Sequence, residues 1–377
     1  MERYLIEDSS QASSPWSFYA IHRQLQSKVL RDLQLVPDQY QRTFDRTVAL
    51  VARDFPAFPK LMTPNFSQWP SYEKLIAHVL KLHSVYCANE SSQSQRRTQA
   101  EATLIPSMAF AELLASAGFY FYEVRLADSG VAVSEIAEKI SKEIRTSSLN
   151  EVTKPLETQK GQSSTYADAL KLEANAAAVS WGIIKEAQGL TGARKAMAKA
   201  KQVGILREKH ASLTNLSLND HFESQILLSN AYNDIGTQMI YVHQYAGAID
   251  YVNKSLNLKR ELEAQGHKIP PFEFAESTNN LSWASLGLNL VQEALLHSEK
   301  AVELINNDDH DSDATRFYFC YGVALFLSGQ PQKAIKVMSD VYRKRKDAFG
   351  ESGGQTRYSS YAISFIYYAQ GYFEEAK

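Results

Sequence analysis

The sequence predicts an all-α protein, an α-solenoid of stacked helix pairs with a small helical segment ahead of it. Three observations predict this. From about residue 100 onward, apolar residues recur at helical spacing between polar loops. The C-terminal half contains four self-similar segments, which is how a repeat architecture announces itself. Finally, 377 residues are too many for one compact core, and fit either several domains or one elongated array.

Residues 1–90 differ in texture, with Pro37, Pro56, Pro59, Pro64 and Pro70 clustered there. Ser17 to Ile21 reads as a short strand feeding a helix from His22 to Leu35. A second helix is expected over Gln39–Asp54, with Phe44, Val48, Leu50 and Val51 on one face, and a third over Ser71–Tyr86. Residues 100–210 read as degenerate helix pairs, the first over Glu101–Ala127 and Ala132–Arg145. The polar stretch Thr146–Thr165 is expected to be a linker or loop. Thr165-Tyr-Ala-Asp168 reads as a capping box opening an Ala-rich helix, and Asp220-His-Phe-Glu223 as a second start signal.

Residues 221–377 form the array itself, with its last unit incomplete. Segments from Tyr232, Thr278, Tyr318 and Ser360 align without internal gaps. In each, an apolar residue (Ile235, Leu281, Tyr321, Ile363) precedes a small one (Gly236, Ser282, Gly322, Ser364). An alanine follows twelve residues later: Ala248, Ala294, Ala334 and Ala376. Two helices approach to about 8–10 Å only where neither brings bulk to the crossing, so the small residue marks one helix and the alanine its partner. Asn289, Gly329 and Gly371 fall where the first helix of a pair ends, and these residue types tolerate a left-handed cap. The alanines stand 46, 40 and 42 residues apart. That exceeds the roughly 34-residue tetratricopeptide unit, with the excess after the second helix.

These units resemble the long-spaced tetratricopeptide repeats of kinesin light chains and regulatory ATPases. The resemblance implies that the Gly350 to Thr356 segment joins two repeats, with Thr356 as the next N-cap. A second resemblance covers residues 16–90 and runs on into the first helix pair. "FYAIHRQLQSKVLRDL", "FDRTVALVARDFP", "QWPSYEKLIAHVLKLHSVY" and "FAELLASAGFYFYEVRLADSGVAVSEIAEKI" are similar to fungal NLR-type proteins of the STAND/NB-ARC class. This implies the end of a winged-helix module, then a helical connector, then repeats. It also makes His22 a vestigial nucleotide-sensing residue, because no G-x-x-x-x-G-K-[ST] loop accompanies it.

Composition narrows the function classes. Lys+Arg of 40 against Asp+Glu of 42 gives a net charge of -2, too little to recruit nucleic acid or an acidic membrane. Two cysteines, Cys87 and Cys320, make no disulfide framework and suit a reducing compartment. No apolar run resembles a signal peptide or a membrane span, so the chain reads as cytoplasmic.

Motifs that evoke chemistry fail on context. Gly350-Glu-Ser352-Gly-Gly354 matches a nucleophile elbow by letter, but a basic helix stands where a strand is required. Asp309, Asp311 and Asp313 lack the Gly and Glu of a calcium loop, with Ala314 and Cys320 in their places. His83 and Cys87 share a helix face, yet two ligands make no zinc site. Arg343 to Lys346 is a basic run suited to a solvated helix C-terminus, with an acidic-partner patch as the alternative. The sequence therefore predicts no catalysis, cofactor or metal.

What remains is a surface. The first helices of an array line its inner groove. The candidate lining residues are Asn230, Asn233, Asp234, Asn279, Asn280, Trp283, Phe319, Cys320, Phe326, Tyr361, Phe365 and Tyr368, turning from amides to rings along the chain. Amides can bond an extended peptide backbone, and rings give rigid apolar anchors. The expected function is binding of a protein or peptide by a sensing arm of the NLR-like kind. A cargo or scaffold adaptor like kinesin light chain is the alternative, with a hydrolase or NTPase behind both. The incomplete last unit is expected to leave Tyr361, Ile363, Phe365, Ile366 and Tyr367 partly uncovered and prone to self-association.

Overall fold

A computed structural model describes residues 7–8, 19–20, 23–60, 66–95, 103–151, 159–185, 189–305 and 311–376. They form fourteen helices and one two-residue antiparallel pairing of β1 (Glu7–Asp8) with β2 (Tyr19–Ala20), which confirms the all-α class. The chain divides into two compact units, Met1–Ser147 and Ser148–Lys377.

The first unit contains α1 (Arg23–Gln34), α2 (Pro37–Asp54), α3 (Trp69–Gln95), α4 (Met108–Glu123) and most of α5 (Ala127–Glu151). Pro37 opens α2, where its missing N–H costs nothing. Tyr40, Phe44, Val48 and Val51 form the buried stripe of α2. Leu50, expected on that stripe, is 59% exposed, because a step of two residues from Val48 rotates it off the face. Ser107 caps α4 by accepting from the Phe110 amide, and nearly all of α4 from Phe110 to Phe121 is buried. Its rings anchor the unit: Phe110 meets Phe44 edge-on at 5.0 Å, and Tyr120 stacks on Tyr72 at 5.0 Å.

The second unit is a run of helices: α6 (Gln159–Ile184), α7 (Gly189–Ala211), α8 (Leu218–Tyr241), α9 (Tyr245–Ala264), α10 (Pro271–Gly287), α11 (Val291–Ile305), α12 (Asp311–Leu327), α13 (Pro331–Phe349) and α14 (Gly354–Ala369). Each packs on the next in chain order, and α8, α10, α12 and α14 also touch in sequence. The expected crossings hold three times. A Cβ on Gly236 would lie 2.5 Å from Val252 Cγ2 and 3.2 Å from the Ala248 carbonyl oxygen. Ser282 instead donates its hydroxyl to the Ala294 carbonyl at 2.8 Å. Gly322 meets Met338, and Ala248, Ala294 and Ala334 are wholly buried. The fourth crossing is absent, since Ser364 is only partly buried and Ala376 lies in turns beyond α14. The left-handed caps are present at Asn289 (φ 61°), Gly329 (φ 81°) and Gly371 (φ 81°). His243, at φ 61°, fills the same place in the first unit of the array, which sequence reading missed because histidine is no cap signal.

Several local expectations are corrected. Residues 146–151 and 159–165 are helical, in α5 and α6, which narrows the linker to 152–158, outside the described residues. Thr165 lies inside α6, six residues after its first residue, Gln159, not at its start. The cap of α8 is Ser217, accepting from the Asp220 amide, so the start signal sits three residues earlier. Thr356 is a buried residue within α14, which begins at Gly354.

One repeat feature escaped the alignment. Eleven residues after Ala248 and Ala334 stand Lys259 and Arg345, both buried. Lys259 Nζ donates to the Glu273 carbonyl at 2.8 Å, reaches Ser277 Oγ at 3.4 Å, and pairs with the Glu273 carboxylate at 2.9 Å. Arg345 Nη1 likewise donates to the Gln355 carbonyl at 3.3 Å and Ser359 Oγ at 3.0 Å. In each case a buried cation at the end of one pair grips a carbonyl and a serine in the first turns of the next. Arg345 therefore does not belong to the solvated face expected of Arg343–Lys346, whereas Arg343 and Lys346 are exposed and pair with Asp340 and Glu351.

Candidate binding face on the first helices of the pairs

Contacts between the first helices run in a row from α8 to α14. At the α8–α10 step, Asn280 donates to Asn233 Oδ1 at 3.0 Å and to Thr237 Oγ1 at 2.9 Å. Asn230 accepts from the Ser229 hydroxyl at 3.4 Å and is partly exposed. Asn279 is only 7% exposed, and its Oδ1 has no hydrogen-bond partner among the described residues. An acceptor in that state costs about 1–3 kcal/mol unless something donates to it.

At the α10–α12 step, the Trp283 and Phe319 rings stand 6.4 Å apart, and the Arg345 guanidinium lies 4.8 Å from the centre of the Phe319 ring. Cys320 points away from this face. It is fully buried and donates to Ser282 Oγ at 3.3 Å, with burial pushing its pKa up to about 12. At the α12–α14 step, Phe326 and Phe365 meet edge-on at 5.9 Å.

Past that point the rings lose their cover. Tyr361, Phe365 and Tyr368 are 70%, 61% and 63% exposed. Tyr358, not singled out in the sequence, extends the same row at 69%. Spacings of three and four residues put all four on one face of α14. Ile366 is buried, and Ile363 and Tyr367 are partly buried.

Asp234 sits at the other end. It is partly exposed, and it makes no hydrogen bond or ion pair among the described residues. Burial, only partly offset by Lys185 and Lys259 and reinforced by Glu276 and Glu273, raises its pKa to about 7. Elsewhere on α8 and α10, Glu223 pairs with Lys171, Glu273 with Lys259 and Glu276 with Arg316, while Asp220 accepts from the Ser217 hydroxyl at 2.6 Å.

The remaining candidates do not gather into a site. Ser352 lies exposed in the turn between α13 and α14, with a helix on each side. His83 Nε2 and Cys87 Sγ lie 3.5 Å apart, and burial lowers the histidine pKa and raises that of the thiol. No group of three or more metal-ligating side chains occurs among the described residues. Among them, no helix is long and apolar enough to cross a membrane. His22 and Asp309 lie outside the described residues, as do the side chains of Asp311 and Asp313.

Small-residue crossings, left-handed caps and touching first helices define a tetratricopeptide-type helical repeat protein. A scan against protein-family models finds no match, and a search of curated protein sequences finds none either. Among solved structures, the apo form of RapI is similar over 82% of this chain and 92% of its own, at 12% identity and a TM-score of 0.52. The apo quorum sensor NprR from B. thuringiensis matches over 93% and 94%, at 12% identity and a TM-score of 0.40. A putative kinesin light chain from Podospora anserina with nearly identical TPR-like repeats matches over 52% and 87%, at 18% identity and a TM-score of 0.36. At such identities the likeness to RapI concerns the fold alone.

Proposed function

We propose that this chain binds a protein or peptide along the row of first helices from Asn230 to Tyr368. One observation carries this reading: a continuous helix-to-helix series of side chains that runs from amides at the α8–α10 step to four uncovered rings on α14. Partly exposed amides such as Asn230 can bond an extended backbone, and apolar side chains can cover the rings. Changing Asn280 and Trp283 together to Ala is expected to abolish affinity capture of partners from native cytosol while leaving the circular-dichroism spectrum unchanged. Undiminished capture by the folded double variant would overturn the reading.

A second, finer reading places this binding face in the ligand-sensing arm of a fungal NLR-like signalling protein. It is favoured by the strand Tyr19–Ala20 leading almost directly into α1 at Arg23. Transcripts joining this chain to an upstream phosphate-binding loop would support it. A transcript without such a loop would favour a cargo or scaffold adaptor instead.

A further inference from the structure

The second helices of the pairs pack on the first helices to either side: α7 on α6 and α8, α9 on α8 and α10, α11 on α10 and α12. Each therefore keeps one face open, turned away from the first helices. We infer that a second copy of this chain docks on these three open faces, about a two-fold axis running alongside α9, so that α7 of each copy meets α11 of the other. Charge along the row carries the inference. On α7 the open face holds Arg194, Lys195, Lys201 and Lys209, all exposed, around Ala198 and Ile205, the latter 52% exposed. The side chains of these cations make no hydrogen bond or ion pair among the described residues. The acid on α7, Glu208, accepts from the Tyr232 hydroxyl at 3.0 Å. On α11 the open face is acidic, with Glu293, Glu299 and Glu303 around Leu296, which is 65% exposed. Lys300 holds Glu303 at 2.8 Å. Glu299 meets the Tyr321 hydroxyl rather than a cation, and Glu293 lies near His297, whose pKa burial lowers.

The opposition is in register. Ala196, Ala248 and Ala294 are wholly buried, and a buried Arg207, Lys259 or Ile305 follows each by eleven residues. The residue before each alanine and the residue five after it are Lys195 and Lys201 on α7, Gly247 and Asn253 on α9, and Glu293 and Glu299 on α11. The same places thus run from cations through neutral residues to anions. Two residues after the alanine, α7 carries the small Ala198 and α11 the large Leu296. A two-fold axis alongside α9 exchanges α7 with α11 and sets α9 on itself, the isologous arrangement a closed dimer requires. Cations then face anions twice, and Leu296 faces an alanine. An axis running across the helices would lay α7 on α7 and α11 on α11, like charge on like. The basic helix α13 is a poorer mate for α11, because Asp340 and Glu351 already hold its Arg343 and Lys346. The 15 residues of α11 span about 22 Å. Three helices about 8–10 Å apart then cover roughly 600 Å² per copy, at the low end for a stable pair. The dimer is accordingly weak and sensitive to salt.

The test is sedimentation velocity on the full chain. The wild type is expected to dimerise at about 50 mM salt and to be monomeric at about 1 M, where charges are screened within about 3 Å. One variant combines Lys195→Glu with Lys201→Glu, and a second combines Glu293→Lys with Glu299→Lys. Each alone sets like charge on like and should weaken self-association at least about tenfold. Mixed in equal amounts, the two should form a heterodimer, because the reversed α7 of one meets the reversed α11 of the other. Recovery on mixing also shows that both variants fold, and unchanged melting temperatures check this separately. A wild type that stays monomeric at low salt would overturn the inference. So would a dimer that neither reversal weakens, or variants that stay apart when mixed. A dimer that Phe365→Ser dissolves and the α7 reversal leaves intact would move the contact to the rings of α14 and overturn the assignment to the second helices.

Discussion

The two ends of the row of first helices are built from one repeat but finished differently. At α8 and α10 the polar groups are linked: Asn280 ties Asn233 to Thr237, Ser282 holds the Ala294 carbonyl, and Lys259 is locked into Glu273. At α12 and α14 the place of Asn233 carries rings, Phe319 and then Tyr361, with exposure rising to 70% at Tyr361, and Arg345 supplies the buried polar clamp. A shared scaffold thus yields a rigid, directional end and an adaptable, greasy one. Hydrogen bonds demand fixed geometry, whereas Met338 and the neighbouring rings can shift against each other.

The comparison is most easily broken at the buried cations. Lys259→Ala leaves the Glu273 carboxylate without its partner and is expected to cost about 3–5 kcal/mol in urea unfolding. Arg345→Ala breaks bonds to the neutral partners Thr315, Gln355 and Ser359 and the contact with the Phe319 ring, leaves no charge unpaired, and should cost less, about 2–3 kcal/mol. Equal costs would mean that the two clamps are not chemically distinct. The crossings come next. Gly236→Ala drives a Cβ against Val252 and the Ala248 carbonyl, for an expected loss of about 1–3 kcal/mol. Gly322→Ala presses on the flexible Met338 side chain and should cost under about 1.5 kcal/mol.

Asp234 sharpens the contrast through pH. Its folded pKa of about 7 lies above the ordinary 3.8. The folded state therefore binds the extra proton, and the stability this gives is complete below about pH 4 and gone above about pH 7. Asp234→Asn should flatten that slope in thermal melts, leaving the variant more stable than the wild type at pH 8 by up to about 4 kcal/mol. His210 runs the other way. Burial, with Arg207 and Lys171 nearby, lowers its pKa to about 4, so its contribution is present above about pH 6.5 and lost as pH falls toward 4. The smallest effect is expected at a cap, where Asn289→Gly relieves a left-handed backbone and should gain a few tenths of a kcal/mol.

Legibility in the sequence followed the same divide. The crossings at Gly236, Ser282 and Gly322 and the caps at Asn289, Gly329 and Gly371 were readable because each states a local steric requirement in residue type. The helix starts misread at Thr165, Asp220 and Thr356 show the limit, since capping letters also occur inside helices. The burial of Arg345 was hidden because a basic run looks solvated until a serine fourteen residues away arrives to meet it.

By itself, the sequence determined the all-α class, the helix pairing and the places where pairs approach closely, because small residues and left-handed caps act through the backbone next to them. Only the tertiary structure decided which cations are swallowed between pairs, which carboxylate is left without a partner, and where the rings stay open. Those outcomes depend on side chains brought together from distant parts of the chain, and on how much water their packing removes.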